Sequence, residues 1–570
     1  MIKLRHSFFI IGILLLTASC SSEKEIGNKN NSSIYFGGDI LTMESDRPVY
    51  VESVVINSGL IVFTGSLEQA KKKYPNAKKN DLNGKTLMPG FIDGHCHFAG
   101  FPGQSVGAQI LPPPDATVSN IPTLIKVLKE WATPENVELT GWIFGLGFDD
   151  SVLEEKRFPN KFDLDKVSTD IPIMIIHISG HFASVNSKGL ELLEINSNTT
   201  DPEGGIIRRV NGSNEPNGVL EELAAIPYMP IVLGPKSEKA MMTFLNSGQE
   251  MAMSYGYTTA QEGRAMPNTH AFLEEVAKQE LLKIDIVSYI DYSIADSLLR
   301  TEWNSSSYTN HYRIGGMKIT LDGSPQGRTA WRTQPYLLPP DGAEKGYKGY
   351  PAIPNDQDVI DIYEIAYKNK WQILTHANGD AAMDQMIRTM SKVQQKYGKE
   401  NRRDVLIHGQ YVRNDQLDEL QKLDVIASLF PLHTYYWGDW HEQLIGDSLV
   451  NFISPTRSAL DKNLKITIHT DAPVALPNLM RVIWTATTRT SRSGKIIGED
   501  QRLTVYEALK CITDWSAYQH FEEKTKGTLT QGKIADLVLL NKNPLKVSLE
   551  EVKDIIVMET IKNGETVFKR

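Results

Sequence analysis

Short apolar runs broken by turn residues open the chain. Ile34-Tyr35-Phe36, then Ser53-Val54-Val55-Ile56 with Asn57-Ser58-Gly59 after it, then Leu60-Ile61-Val62-Phe63-Thr64 have the length and punctuation of β-hairpins. The C-terminal end answers in kind, with apolar runs at 535–540 and 554–558 and an Asn563-Gly564 turn before Thr566-Val567-Phe568. Between these ends, apolar runs at 86–92, 256–261, 284–289, 316–321, 371–375, 405–407, 425–429 and 464–468 are mostly separated by enough chain for a helix, as parallel strands require. Eight such units predict an α/β fold, a (β/α)8 barrel, over residues 87–522. The β-rich ends, 33–86 and 523–570, predict a small β-sandwich assembled from both termini. The stretch from about 98 to 240 is too long for one crossover and predicts an inserted subdomain.

The first residues follow a different pattern. Lys3, Arg5 and His6 precede an apolar stretch over 8–16, and Thr17-Ala18-Ser19-Cys20 follows. A charged start, a short apolar core and small residues predict a signal peptide over 1–19, too short to remain as a spanning helix. The cysteine after the small residues resembles a bacterial lipobox, although Thr17 stands where that motif prefers Leu. The resemblance implies a lipid on Cys20, a polar tether over 20–32 and an extracytoplasmic body anchored to a membrane. Simple cleavage near Ser19 is the alternative. Cys96 and Cys511, the remaining cysteines, are far apart in sequence and are expected to be free thiols.

Composition narrows the function. With 41% hydrophobic and 23% charged residues the chain reads as a globular enzyme, and a formal charge of -9 with no basic patch excludes a nucleic-acid partner. The lysines at 71–73 and 78–79 read as a solvated face. A small-molecule substrate is expected, and a homo-oligomer stays open.

The candidate chemistry lies at the ends of the predicted strands. His95 and His97 in Asp93-Gly94-His95-Cys96-His97 are two apart on a strand, so both point one way and can chelate one ion. His376 follows the run 371–375, His408 follows 405–407, and Asp471 follows Ile468-His469-Thr470. Lys318 lies inside Gly316-Met317-Lys318-Ile319, an apolar strand hostile to an ammonium group, and so needs a partner or a neutral form. One histidine at a strand end is an ordinary core residue. Four with an aspartate, at the carboxyl ends where barrel enzymes keep their chemistry, point to a metal site.

The segment 89–97 resembles the first-strand motif of the amidohydrolase superfamily. Together with 256–263, 316–330, 375–380, 407–410, 470–474 and the closing 527–537, it is similar to amidohydrolase family 3, the branch that includes N-substituted formamide deformylase. Ser179-Gly180-His181 in the insert departs from that branch at Ser179, where an aspartate is expected. The resemblance implies hydrolysis of a non-peptide carbon–nitrogen bond by metal-activated water. One or two divalent ions, zinc foremost, would be held by His95, His97, His376, His408 and Asp471. Lys318 would be carboxylated and bridging, and Asp471 would move the proton. For Lys318 the alternatives are an ion pair with Asp322 or a role in substrate binding. His181, Arg328, Glu262 and Trp437 are the candidate substrate-facing residues; the alternatives are a structural role in the insert for His181, pinning of its own loop for Arg328, and packing for Trp437. A deaminase would place a glutamate three residues after His376, where Gly379 stands. A lactonase or other ester hydrolase, and a non-catalytic lipid-anchored binding protein, complete the competing readings.

Overall fold

The computed structural model describes residues 32–340 and 342–570. The signal peptide and the lipid-bearing cysteine expected over residues 1–20 lie outside the described residues, as does the tether to residue 31.

Eight parallel strands form the central sheet: β1 Phe91–Ile92, β2 Tyr257–Ala265, β3 Asp285–Asp291, β4 Tyr312–Thr320, β5 Gln372–Ala377, β6 Val405–His408, β7 Ile426–Leu429 and β8 Ile466–Ile468. They pair in sequence order. Backbone bonds just past the two edge strands, Asp471 N to His95 O at 3.0 Å and His97 N to Ala472 O at 2.7 Å, bring the edges together as a (β/α)8 barrel. Helices between the strands cover the outside. Asp380–Tyr397 shows why they dock: Ala382, Met383, Met386, Met390 and Val393 recur at helical spacing and are all buried.

The insert between β1 and β2 carries its own sheet of six strands, which begins at Ala108–Gln109 and ends in sequence at Pro216–Glu222. The chain ends build a third sheet together. Leu537–Leu540 pairs antiparallel with Thr86–Pro89, which joins the strands of the first sixty residues to Val557–Lys562 and Glu565–Lys569. Ser33–Leu41 has a bulge between Phe36 and Ile40 and changes partner there, from Lys78–Asp81 to Thr86–Pro89. The Asn563-Gly564 turn takes φ of 51° and 80°, as a tight hairpin requires.

One expected strand divides. Residues 86–92 read as the first barrel strand, but Thr86–Pro89 belongs to the terminal sheet and only Phe91–Ile92 to the barrel. Gly90 is the joint: a Cβ there would lie 2.3 Å from the Thr258 side chain, so only glycine lets the chain cross that close to β2. Among the described residues, no helix is long and apolar enough to cross a membrane.

Candidate metal centre

The β1 and β8 ends meet through Asp93. Its carboxylate accepts Tyr257 Oη at 2.7 Å, Thr470 Oγ1 at 2.5 Å, and the backbone N–H groups of His95 and Thr470 at 3.2 Å each. Burial pushes the Asp93 carboxyl up to about 7 despite these donors. The clasp fixes the segment that carries His95 and His97 against the one that carries Asp471.

His95 is fully buried, and its Nδ1 lies 2.5 Å from Gln261 Oε1. The same amide donates from Nε2 to Gly94 O at 3.1 Å, so its oxygen faces the imidazole and takes the Nδ1 proton. The lone pair on His95 Nε2 therefore faces inward, 3.2 Å from Lys318 Nζ and 3.6 Å from Asp471 Oδ1. Gly263 makes room for the ring, since a Cβ there would lie 2.2 Å from His95 Cε1. His97 Nε2 is 3.5 Å from the same Asp471 oxygen. Behind it, Glu262 Oε1 lies 3.7 Å from His97 Nδ1 while Oε2 accepts Ala99 N at 2.8 Å. One ligand atom from each of His95, His97 and Asp471 falls within 4.8 Å of the others.

Asp471 sits at φ 53°, in the left-handed region a non-glycine residue enters only when its surroundings hold it there. Its Oδ1 is buried and has no hydrogen-bond partner. A carboxylate oxygen left bare between two imidazole nitrogens at 3.5–3.6 Å suits a cation between the three.

Lys318, His376 and His408 surround this triad. The ring centroids of His376 and His408 are 4.7 Å apart, and those of His95 and His408 are 5.4 Å apart. His408 Nδ1 lies 3.1 Å from His469 Nε2, and the far nitrogen of His469 lies 2.9 Å from Ser428 Oγ. His376 Nε2 lies 3.1 Å from Asn378 Nδ2 and 3.3 Å from Gly323 O. The expected alternative pairing of Lys318 with Asp322 does not occur. Asp322 instead accepts the backbone N–H groups of Asn378, Gly379 and Trp331 at 2.9, 2.7 and 2.9 Å.

Burial, helped by the Lys318 charge, holds the His95 and His376 imidazoles well below the usual range, in the neutral form that binds metals. Burial also pulls the Lys318 ammonium down to about 7. At His97 burial acts downward too, but Asp471 and Glu262 outweigh it and hold the ring at about 9.

A cavity of about 270 Å³ opens from this cluster toward the insert, and His97, Lys318, His376 and His181 line it. His181 Nδ1 is held by Glu222 Oε2 at 2.7 Å. Two other candidates lie elsewhere. Arg328 does not line the cavity; its Nη1 reaches Pro339 O at 3.5 Å and its guanidinium lies 5.7 Å from the Trp440 ring centre, in its own loop region. Trp437 is fully buried, donates from Nε1 to Asp149 at 3.0 Å, and packs on His433. Residues that sequence reasoning passed over hold the rest in place: Asp93, Gln261 and His469. His469 carried a signal, since it sits two residues before Asp471 and directly after the β8 strand.

The amidohydrolase family model matches residues 80–568. The chain belongs to the amidohydrolase family. Two relatives span nearly its whole length. The amidohydrolase YtcJ of Bacillus subtilis is 26% identical over 94% of this chain and 99% of its own. The N-substituted formamide deformylase of Arthrobacter pascens is 25% identical over 91% and 95%. An uncharacterized metal-dependent hydrolase of Pyrococcus horikoshii shares the fold, with a TM-score of 0.72 at 23% identity over 91% of this chain and 99% of that one. The reaction class of this family member is hydrolysis of carbon–nitrogen bonds.

Proposed function

We propose that this amidohydrolase cleaves the N-formyl or N-acyl bond of a small amide, with zinc held by His95, His97 and Asp471. His376 and His408 would hold a second ion, and Lys318, once its neutral amine had taken up carbon dioxide and lost a proton, would add a carbamate oxygen as a ligand. The observation that carries the reading is the bare Asp471 Oδ1 facing the Nε2 atoms of His95 and His97, beside a cavity large enough for a small substrate. The relative that acts on N-substituted formamides supports the choice of bond. A bound divalent ion supplies Lewis acidity and an acidified water. Asp471 accepts the water proton on its carboxylate and returns it to the leaving nitrogen, with Asp93 and Glu262 holding the residues around it in place. Gln261 fixes the His95 ring so that Nε2 stays inward.

Elemental analysis of the purified body beside Lys318→Ala, with a screen of N-formyl amines, N-acyl amines and matched esters, tests this. About two ions per chain, falling in the variant, with amides cleaved faster than esters, are expected. An ion count unmoved by the variant removes Lys318 from the centre. No metal after reconstitution overturns the reading.

For placement in the cell we propose a lipid anchor on Cys20, on the strength of the charged, apolar and small-residue succession before it. Mass spectrometry of the mature N-terminus, compared with Cys20→Ser, checks it. An unmodified terminus near residue 20 speaks for simple cleavage.

A further inference from the structure

The cavity carries information about the substrate that the metal centre does not. In a chain with 69 acidic against 60 basic residues, none of the residues that line it is Asp or Glu, while Lys318 and Arg264 both do. The wall opposite the metal centre is apolar and comes largely from the insert, with Leu146, Ile176, Ile178, Met229 and Leu233.

Arg264 is built to leave its fork free. Its Nε donates to Asp291 Oδ2 at 2.7 Å, and Asp291 Oδ1 is held in turn by Ser293 N at 3.0 Å and Ser293 Oγ at 2.6 Å. Among the described residues neither terminal guanidinium nitrogen has a partner, and the side chain is 32% exposed. The strand has a reason to present it here. The pairing of β2 with β3 shifts register between Glu262 and Ala265, and such a bulge re-aims the side chains within it. Glu262 contacts His97, so Arg264, two residues on, stands beside the reacting centre. An anchored guanidinium with two parallel N–H donors toward a cavity fits a carboxylate.

We propose that the substrate bears a carboxylate held by Arg264, with its apolar remainder against the insert: an N-acylated amino acid rather than a simple amide. This rests on the amide reading above and adds to it the group next to the scissile bond. Asp291 and Ser293 are positioning residues for the guanidinium.

Two probe pairs that differ only by charge test it on the metal-loaded protein. Racemic N-acetylphenylalanine and N-acetylphenethylamine, with their N-formyl counterparts, are compared for kcat/KM. 3-Phenylpropionate and 3-phenylpropanol are compared for affinity by calorimetry. The anionic member should be favoured by roughly tenfold to a hundredfold, and Arg264→Met should bring the ratio near one by lowering kcat/KM and affinity for the anionic member. A preference for the neutral member, or an anionic preference that survives Arg264→Met, overturns the proposal. Should Arg264→Met lose metal or fold, Arg264→Lys carries the test: it keeps the charge beside Asp291 but lacks the fork, and an undiminished anionic preference in it also counts against the proposal. If neither amide is cleaved, the amide reading fails for these acyl groups, and the calorimetric ratio alone decides the role of Arg264.

Discussion

Buried charge gathers at both ends of the barrel, and the two clusters are built differently. At the N-terminal face, Asp285 at the start of β3 takes Lys526, Lys562 and His311 at 2.6, 2.5 and 2.6 Å. Glu522 takes Arg313 at 2.8 Å and Tyr308 at 2.5 Å, and Asp536 takes Lys562 at 2.7 Å. Each charge there has an opposite within reach, and the cluster fastens the C-terminal segment to the barrel. At the C-terminal face, four histidines, Lys318 and Asp471 crowd together with an oxygen of Asp471 left bare. A buried polar atom without a partner raises the free energy of the empty protein, and a cation placed there removes that penalty. Carboxylates with a lysine or arginine within 2.8 Å mark the structural joint, whereas Asp471 Oδ1 has only two imidazoles at 3.5 and 3.6 Å and marks a place for something that binds.

The comparison breaks most visibly if Asp471 behaves as a joint. Asp471→Asn should lower kcat on an accepted amide by about a thousandfold while the metal-free protein keeps its stability, read by kinetics beside denaturant unfolding. Asp285→Ala should do the reverse: unfolding in urea should show a loss of about 3–5 kcal/mol, because Lys526 and Lys562 stay buried beside a missing charge. A stability loss at Asp471 as large as that at Asp285 would erase the distinction.

Acid sharpens it. Burial pushes the Glu522 carboxyl up, but Lys526 and Arg313 outweigh burial and hold it down, from an ordinary 4.5 to about 2. A folded-state value below the unfolded one means that the unfolded chain binds the proton more readily. The stabilisation is therefore complete above about pH 4.5 and is lost as pH falls toward 2, on the order of 3 kcal/mol for this group. Unfolding followed between pH 6 and 3 should lose this slope in Glu522→Gln. A slope that survives the variant places the acid sensitivity elsewhere. The smallest effect belongs to Trp437→Phe, which removes the hydrogen bond to Asp149 at 3.0 Å: about 1 kcal/mol of stability with kcat/KM changed less than about threefold, by melting and kinetics. A much larger kinetic loss would return Trp437 to the substrate site.

Much of this protein is written locally. Apolar runs of strand length separated by helical stretches determine the barrel, because period and spacing are properties of neighbouring residues. His95-Cys96-His97, His376, His408, Lys318 and Asp471 could be picked out for the same reason: each is a polar residue at or within a strand that is otherwise apolar. Other features depend on what lies across the fold, and a linear reading holds no measure of that. Residues 86–92 look like one strand, and only the close approach of Thr258 to Gly90 divides them between two sheets. Asp93 and His469 were visible as letters, but their work depends on Tyr257, Ser428 and His408, which lie far away in the chain. Arg264 is not singled out by the sequence; its place at the cavity depends on a bulge in β2 and the anchor at Asp291. Periodic burial is decided by residues a few positions apart and survives in the sequence; the pairing of charges is decided by distances in space, and only the tertiary structure sets those.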